Sequence, residues 1–124
     1  MLKIGFFGDG PWADKTLKKI SNNNKFSISF IVSRFKQPDQ KLKKWSKKLD
    51  VDFISFENIN SSQALAKLKK YDADLFVSMS FDQILKKDII YLPKMGFLNC
   101  HAGALPFYRG RNILNWALIN DEKE

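Results

Sequence analysis

Cysteine is nearly absent from this 124-residue chain: Cys100 stands alone, so no internal disulfide is available, and a cytoplasmic setting is expected. Histidine is equally scarce. His101 is the only one, and neighbours on an extended strand point to opposite faces, so neither a metal site nor a Cys–His nucleophile pair is expected. No run of eighteen apolar residues occurs, which excludes a helical membrane span. Met1-Leu2-Lys3-Ile4 runs straight into a strand pattern, and no signal peptide is expected. Acids are outnumbered, 13 against 21 Lys and Arg, for a formal net charge of +8. The lysine pairs Lys18-Lys19, Lys43-Lys44, Lys47-Lys48, Lys69-Lys70 and Lys86-Lys87 fall on several elements and lack aromatic interleaving. A solvated surface is therefore expected, with no nucleic-acid partner. Attraction of an anionic nucleotide substrate would be a by-product.

What is present is enough for one core: 44% hydrophobic and 14% aromatic residues, in a single small domain over residues 1–124. Leu2–Phe7 reads as a buried strand, followed by a helix near residues 11–22 with Ala13, Leu17 and Ile20 inward and Pro11 in its first turn. Phe26–Ser33 reads as a second strand, then a loop 34–39 and a helix carrying Leu42, Trp45 and Leu49. Asp52–Phe56 is a short third strand. Ser61 or Ser62 caps a helix with Leu65 and Leu68 inward, and Leu75–Met79 is a fourth strand. A helical turn over 83–90, a fifth strand from Phe97, and a helix 112–119 with Ile113, Trp116 and Ala117 inward complete the order. Regular alternation of this kind predicts an α/β fold: a Rossmann-like open parallel sheet with helices on both faces. Ligands of such sheets lie outside the carboxyl ends of the strands, so segments 8–13, 34–39, 80–85 and 101–111 are expected around one crevice.

The densest stretch is Gly96 to Asn112. On an extended strand Asn99 and His101 share a face, with Cys100 on the other. An amide donor and an imidazole converging on a carbonyl oxygen make an oxyanion site, and the imidazole also moves protons. No hydroxyl or thiol nucleophile stands on that face, so the nucleophile comes with the substrate, as in acyl transfer to a bound amine or in hydrolysis. The same spacing fits a histidine that only hydrogen-bonds near a strand end. Beyond it, Pro106 fixes its own backbone, and Gly103 and Gly110 permit positive φ. Arg109 is expected to pin the loop, whereas Arg111 either holds an anionic group or pins the loop as well. Earlier in the chain, Gly8-x-Gly10-x-x-Ala13 is a loose dinucleotide fingerprint, with Arg34 placed for a 2′-phosphate. The fingerprint tolerates Pro11 poorly, and a tight strand-to-helix turn explains the same residues.

Asn99-x-His101 followed by Leu105-Pro106-x-Tyr108-Arg109-Gly110 and a helix resembles the signature of the folate-dependent formyltransferases. The wording from Cys100 to Ala117 is most similar to the sugar N-formyltransferase branch. The resemblance implies a Rossmann-like catalytic domain, of which this chain is the amino-terminal part. It implies 10-formyltetrahydrofolate as co-substrate and a nucleotide-linked, thymidine diphosphate-type amino sugar as partner. Asn99 and His101 would be catalytic. Phe81, Ile84 and Leu85 would line the folate pocket, with core packing an equal account of the last two. Gly10, Pro11, Trp12 and Arg111 would lie near the acceptor, and Leu105, Pro106, Tyr108, Arg109 and Gly110 would shape the loop.

One departure stands out. The family's third residue, an aspartate some tens of positions after the Asn-x-His pair, has no match, because Asp121 comes too early. A truncated, non-catalytic remnant is thus one alternative. A methionyl-tRNA formyltransferase-like protein and a nicotinamide-binding half-domain are the others. An exposed sheet edge would make a homo-oligomer plausible.

Overall fold

A computed structural model describes residues 1–123. Five parallel strands form one sheet in the order β3-β2-β1-β4-β5: β1 Leu2–Gly8, β2 Phe26–Val32, β3 Asp52–Ile54, β4 Leu75–Met79 and β5 Phe97–Cys100. The helices between them are α1 Gly10–Ser21, α2 Gln40–Leu49, α3 Ser62–Lys69 and α4 Lys87–Ile90, with α5 Ile113–Ile119 after the last strand. The chain leaves β1 in one direction for β2 and β3, then returns to the other side of β1 as β4. That reversal puts the topological switch point between β1 and β4.

Each face of the sheet buries its own cluster. Ile4, Phe6, Ile28, Ile31 and Val77 pack with Ala13 and Leu17 of α1 and Leu42 of α2. On the reverse, Phe7, Phe30, Val32 and Phe76 pack with Leu68 of α3, Ile89 of α4 and Ile59. Ile28 and Ile31 lie on one face despite their odd spacing, because the β1–β2 register shifts between Ile4 and Gly5 and leaves Ser29 as the extra residue of a bulge. Phe7 is the hub of the second cluster, with ring centroids 5.7 Å from Phe30, 5.2 Å from Phe76, 5.6 Å from Phe81 and 5.2 Å from Phe97. Gly5 makes room for this: a Cβ there would strike the rings of Phe30 and Phe76.

Several local expectations need correction. The third strand stops at Ile54, and the helical segment after β4 is shorter than 83–90, because Gln83 is committed elsewhere: its amide accepts from the Ile59 N–H and donates to the Phe56 carbonyl. Ser61, not Ser62, caps α3, its hydroxyl accepting from the Ala64 N–H. Trp116 is 56% exposed rather than inward, as α5 buries only Ile113. No helix among the described residues is long and apolar enough to cross a membrane.

Candidate active site at the carboxyl ends of the strands

Four loops leave the same edge of the sheet, and hydrogen bonds link them in sequence. The Gly10 N–H, at the start of α1, donates to Asp39 Oδ2 at 2.8 Å, joining the loops after β1 and β2. The Asp9 N–H donates to the Met79 carbonyl at 3.2 Å, joining the ends of β1 and β4. Arg111 Nη2 donates to the Asp82 carbonyl at 2.6 Å, joining the loops after β4 and β5. Segments 8–13, 34–39, 80–85 and 101–111 therefore lie together along one edge of the sheet.

Asn99 is exposed on β5, directly across from Ser78 of β4. The Ser78 hydroxyl, itself buried, donates to Asn99 Oδ1 at 2.5 Å. With its oxygen taken, the amide presents Nδ2 as the group left to donate. Cys100 points the other way, into the α1 side of the core. The ladder ends at Cys100, so strand alternation does not position His101. A different contact does: Nε2 of the half-buried imidazole donates to the Tyr108 carbonyl at 2.5 Å, leaving Nδ1 as the acceptor in the neutral ring. No hydrogen bond joins Asn99 to His101 among the described residues.

Loop 102–111 is built around that imidazole. The N–H groups of Phe107 and Tyr108 both donate to the Ala104 carbonyl, the Leu105-Pro106 peptide is cis, and the Tyr108 hydroxyl donates to Glu122 at 2.7 Å. Gly103 is required for space and not for positive φ, contrary to expectation. A Cβ there would lie 2.6 Å from the Tyr108 oxygen and 2.9 Å from His101 Nε2. Gly110 does adopt φ +87°. Arg109 does not pin the loop: it is exposed and makes no hydrogen bond or ion pair among the described residues, whereas Arg111 makes the cross-loop bond. Beyond the loop, a cavity of about 830 Å³ lies between residues 102–108 and α5, lined by Gly103, Phe107, Tyr108, Ile113, Leu114 and Ala117.

The residues expected around the folate divide. Phe81 and Leu85 are half-buried against the Phe7 cluster and support the loop from beneath. Ile84 is 86% exposed, so core packing does not account for it. Its carbonyl accepts from Asn60 Nδ2 at 2.7 Å, which holds the loop in place. Pro11 and Trp12 are exposed at the start of α1, and Trp12 carries Lys15 over its ring.

A polar cluster that no motif of the sequence marks lies at the ends of β1 and β2. Asp9 is buried; its Oδ1 accepts from the Ser33 hydroxyl at 3.0 Å and lies 3.8 Å from Arg34 Nε, while its Oδ2 has no partner. Burial pushes its carboxyl above the usual range, although the Ser33 hydroxyl and Arg34 pull it back and Asp82 adds repulsion. Asp39 moves the opposite way. Burial would raise it, but the N–H groups of Gly10, Leu42 and Lys41 outweigh that and hold it below the usual range. Asp39 thus caps α2 while filling the N-terminus of α1, the place where a Rossmann fold takes a phosphate. Ser78 was legible as the one polar residue inside an apolar strand; Asp9 and Asp39 carried no comparable signal. Among the described residues, no three His, Cys, Asp or Glu side chains group as metal ligands.

Comparison with known proteins fits this arrangement. The sequence model of the family described as formyl transferase matches residues 2–124. The chain is 35% identical to a methionyl-tRNA formyltransferase of Trichormus variabilis, covering 99% of this chain and 40% of that protein. It is 33% identical to one of Finegoldia magna, covering 98% and 42%. It thus spans about two-fifths of the length of the curated relatives it matches. In fold it is similar to a phosphoribosylglycinamide formyltransferase of Anaplasma phagocytophilum, with a TM-score of 0.77 over 96% of this chain and 58% of that one, at 20% identity. The curated relatives are named for methionyl-tRNA, so they lend the amino-sugar wording of the loop no support. Fold and family match agree, and the chain belongs to the formyl transferase family.

Proposed function

We propose that this chain is the amino-terminal part of the catalytic domain of a 10-formyltetrahydrofolate-dependent N-formyltransferase, and that its acceptor is the amine of a methionyl-tRNA. The acceptor rests on the relatives named above. The chemistry rests on one observation: Asn99 is exposed with its amide oxygen already satisfied by Ser78, which leaves a fixed donor beside the loop holding His101. A ligand carrying a carbonyl oxygen fits that donor.

The bound folate would supply an activated formyl carbon. Asn99 Nδ2 would donate to the formyl oxygen, where negative charge builds as the acceptor amine bonds to the formyl carbon; the bond from that carbon to N10 of the folate would then break, and N10 would gain the proton that the amine loses. His101 stabilises the same oxygen as imidazolium or takes the proton the amine loses, its ring held by Tyr108. Ile84 offers apolar surface to the pterin on a loop tied down by Asn60 and Arg111. Holding donor and amine in one crevice contributes through proximity.

The test is transfer of labelled formyl from 10-formyltetrahydrofolate, with methionyl-tRNA and a thymidine diphosphate-linked amino sugar as competing acceptors. Only low turnover on methionyl-tRNA is expected of this chain by itself, since the family's aspartate has no match among its residues, and Asn99→Ala should lower it about 100- to 1,000-fold further, the cost of one lost oxyanion donor. Turnover only on the sugar transfers the acceptor to that branch. A saturable rise in melting temperature with 5-formyltetrahydrofolate but no turnover supports a non-catalytic remnant. If neither is seen, the reading falls.

A further inference from the structure

The basic charge is concentrated on one layer of the fold. Helices α1 and α2 lie side by side over the same sheet face, joined where Trp45 Nε1 donates to Asp14 Oδ1 at 2.7 Å. Their inward positions are Ala13, Leu17, Leu42 and Ser46. Everything charged is left on the outer side: Lys15, Lys18 and Lys19 on α1, and Lys41, Lys43, Lys44, Lys47 and Lys48 on α2, all exposed. Against these eight lysines the two helices contain one acid, Asp14, already engaged by the indole. The helices of the opposite layer, α3 and α4, carry three lysines, Lys67, Lys69 and Lys87, against one acid, Asp88, and Lys67 is paired to Asp52 of β3.

We infer that the outer surface of α1 and α2 is a docking face for structured RNA, deepening the methionyl-tRNA reading on which it rests. Two rows of lysine on a rigid helical layer suit a phosphate backbone, which is recognised by charge and position and requires no pocket. The exposed Trp12 at the start of α1, with Lys15 over its ring, adds one aromatic at the crevice end of the layer. A bilayer is disfavoured, because apart from Trp12 and Pro11 the outer positions of both helices offer no apolar side chain to insert.

Fluorescence anisotropy with labelled tRNA, between 50 and 300 mM KCl, reads this directly, using triple substitutions that remove equal charge from either layer. On the α1/α2 layer Lys18→Gln, Lys44→Gln and Lys47→Gln should weaken binding at least about 10-fold and lower the slope of log K against log salt by about 2 to 3. On the other layer Lys69→Gln, Lys70→Gln and Lys87→Gln should change binding less than about 2-fold. A second set, Lys19→Gln, Lys43→Gln and Lys48→Gln, serves if the first melts early. Equal weakening by both layers, or no tRNA binding at 50 mM KCl, overturns the inference. So does patch-dependent binding to phosphatidylserine vesicles without tRNA binding. Stabilisation by 5-formyltetrahydrofolate should survive in all three variants. Its loss from the unsubstituted chain while tRNA still binds would sink the formyl-transfer reading and leave the RNA surface standing.

Discussion

At the scale of single residues, two neighbouring aspartates carry opposite dependences on pH. Asp9 is raised by burial, so the folded chain holds that proton longer than the unfolded one does. Its contribution favours folding below the ordinary aspartate range and is lost as pH rises through the raised value. Asp39 is lowered, so its contribution is present above the ordinary range and fades as pH falls through the lowered value. Urea melts at pH 4 and pH 7 should therefore show Asp9→Asn gaining on the unsubstituted chain as pH rises, and Asp39→Asn losing ground over the same interval. The same slope for both would contradict the assignment. Gly103 makes a sharper prediction. Gly103→Ala drives a methyl into the Tyr108 carbonyl and His101 Nε2, so a loss of about 1–3 kcal/mol is expected, together with displacement of the imidazole. Histidine ring resonances that stay put would argue that loop 102–108 adapts instead.

At the scale of elements, Phe7 ties β1 to three strands and to the loop bearing Phe81. Phe7→Ala should cost about 3–5 kcal/mol, and hydrogen exchange should quicken in β5, an edge strand, and in residues 80–85, whose Phe81 packs on the lost ring. Ser61→Ala should cost only about 1 kcal/mol, since it removes one cap from the start of α3. The elements themselves were largely written in local pattern. The apolar run Leu75–Met79 marks both ends of β4, whereas the spacing of Leu42, Trp45 and Leu49 marks α2 as a helix without fixing its ends. Helix α5 was harder. Six of its seven residues are apolar, so periodicity could not choose a face, and Trp116 went to solvent.

At the scale of the molecule, the N-terminus of α1 already has an anionic partner from the chain itself, the Asp39 carboxylate. Since Asp39 occupies the N-terminus of α1, millimolar NADPH should leave the melting temperature unchanged; a saturable rise would restore the dinucleotide reading of Gly8-x-Gly10-x-x-Ala13. The sequence alone determined the parallel α/β architecture and singled out the stretch from Gly96 to Asn112, because alternation, turn residues and the loop signature are properties of neighbours along the chain. Only the tertiary structure decided that Ser78 turns the Asn99 amide and that Tyr108 and Gly103 hold the imidazole. It also decided that the lysines of two separate helices share one surface. The Ser78 contact depends on β4 and β5 becoming neighbours, the imidazole contacts on how residues 101–108 fold back on themselves, and the lysine surface on two helices covering the same sheet face, which separate stretches of sequence do not encode.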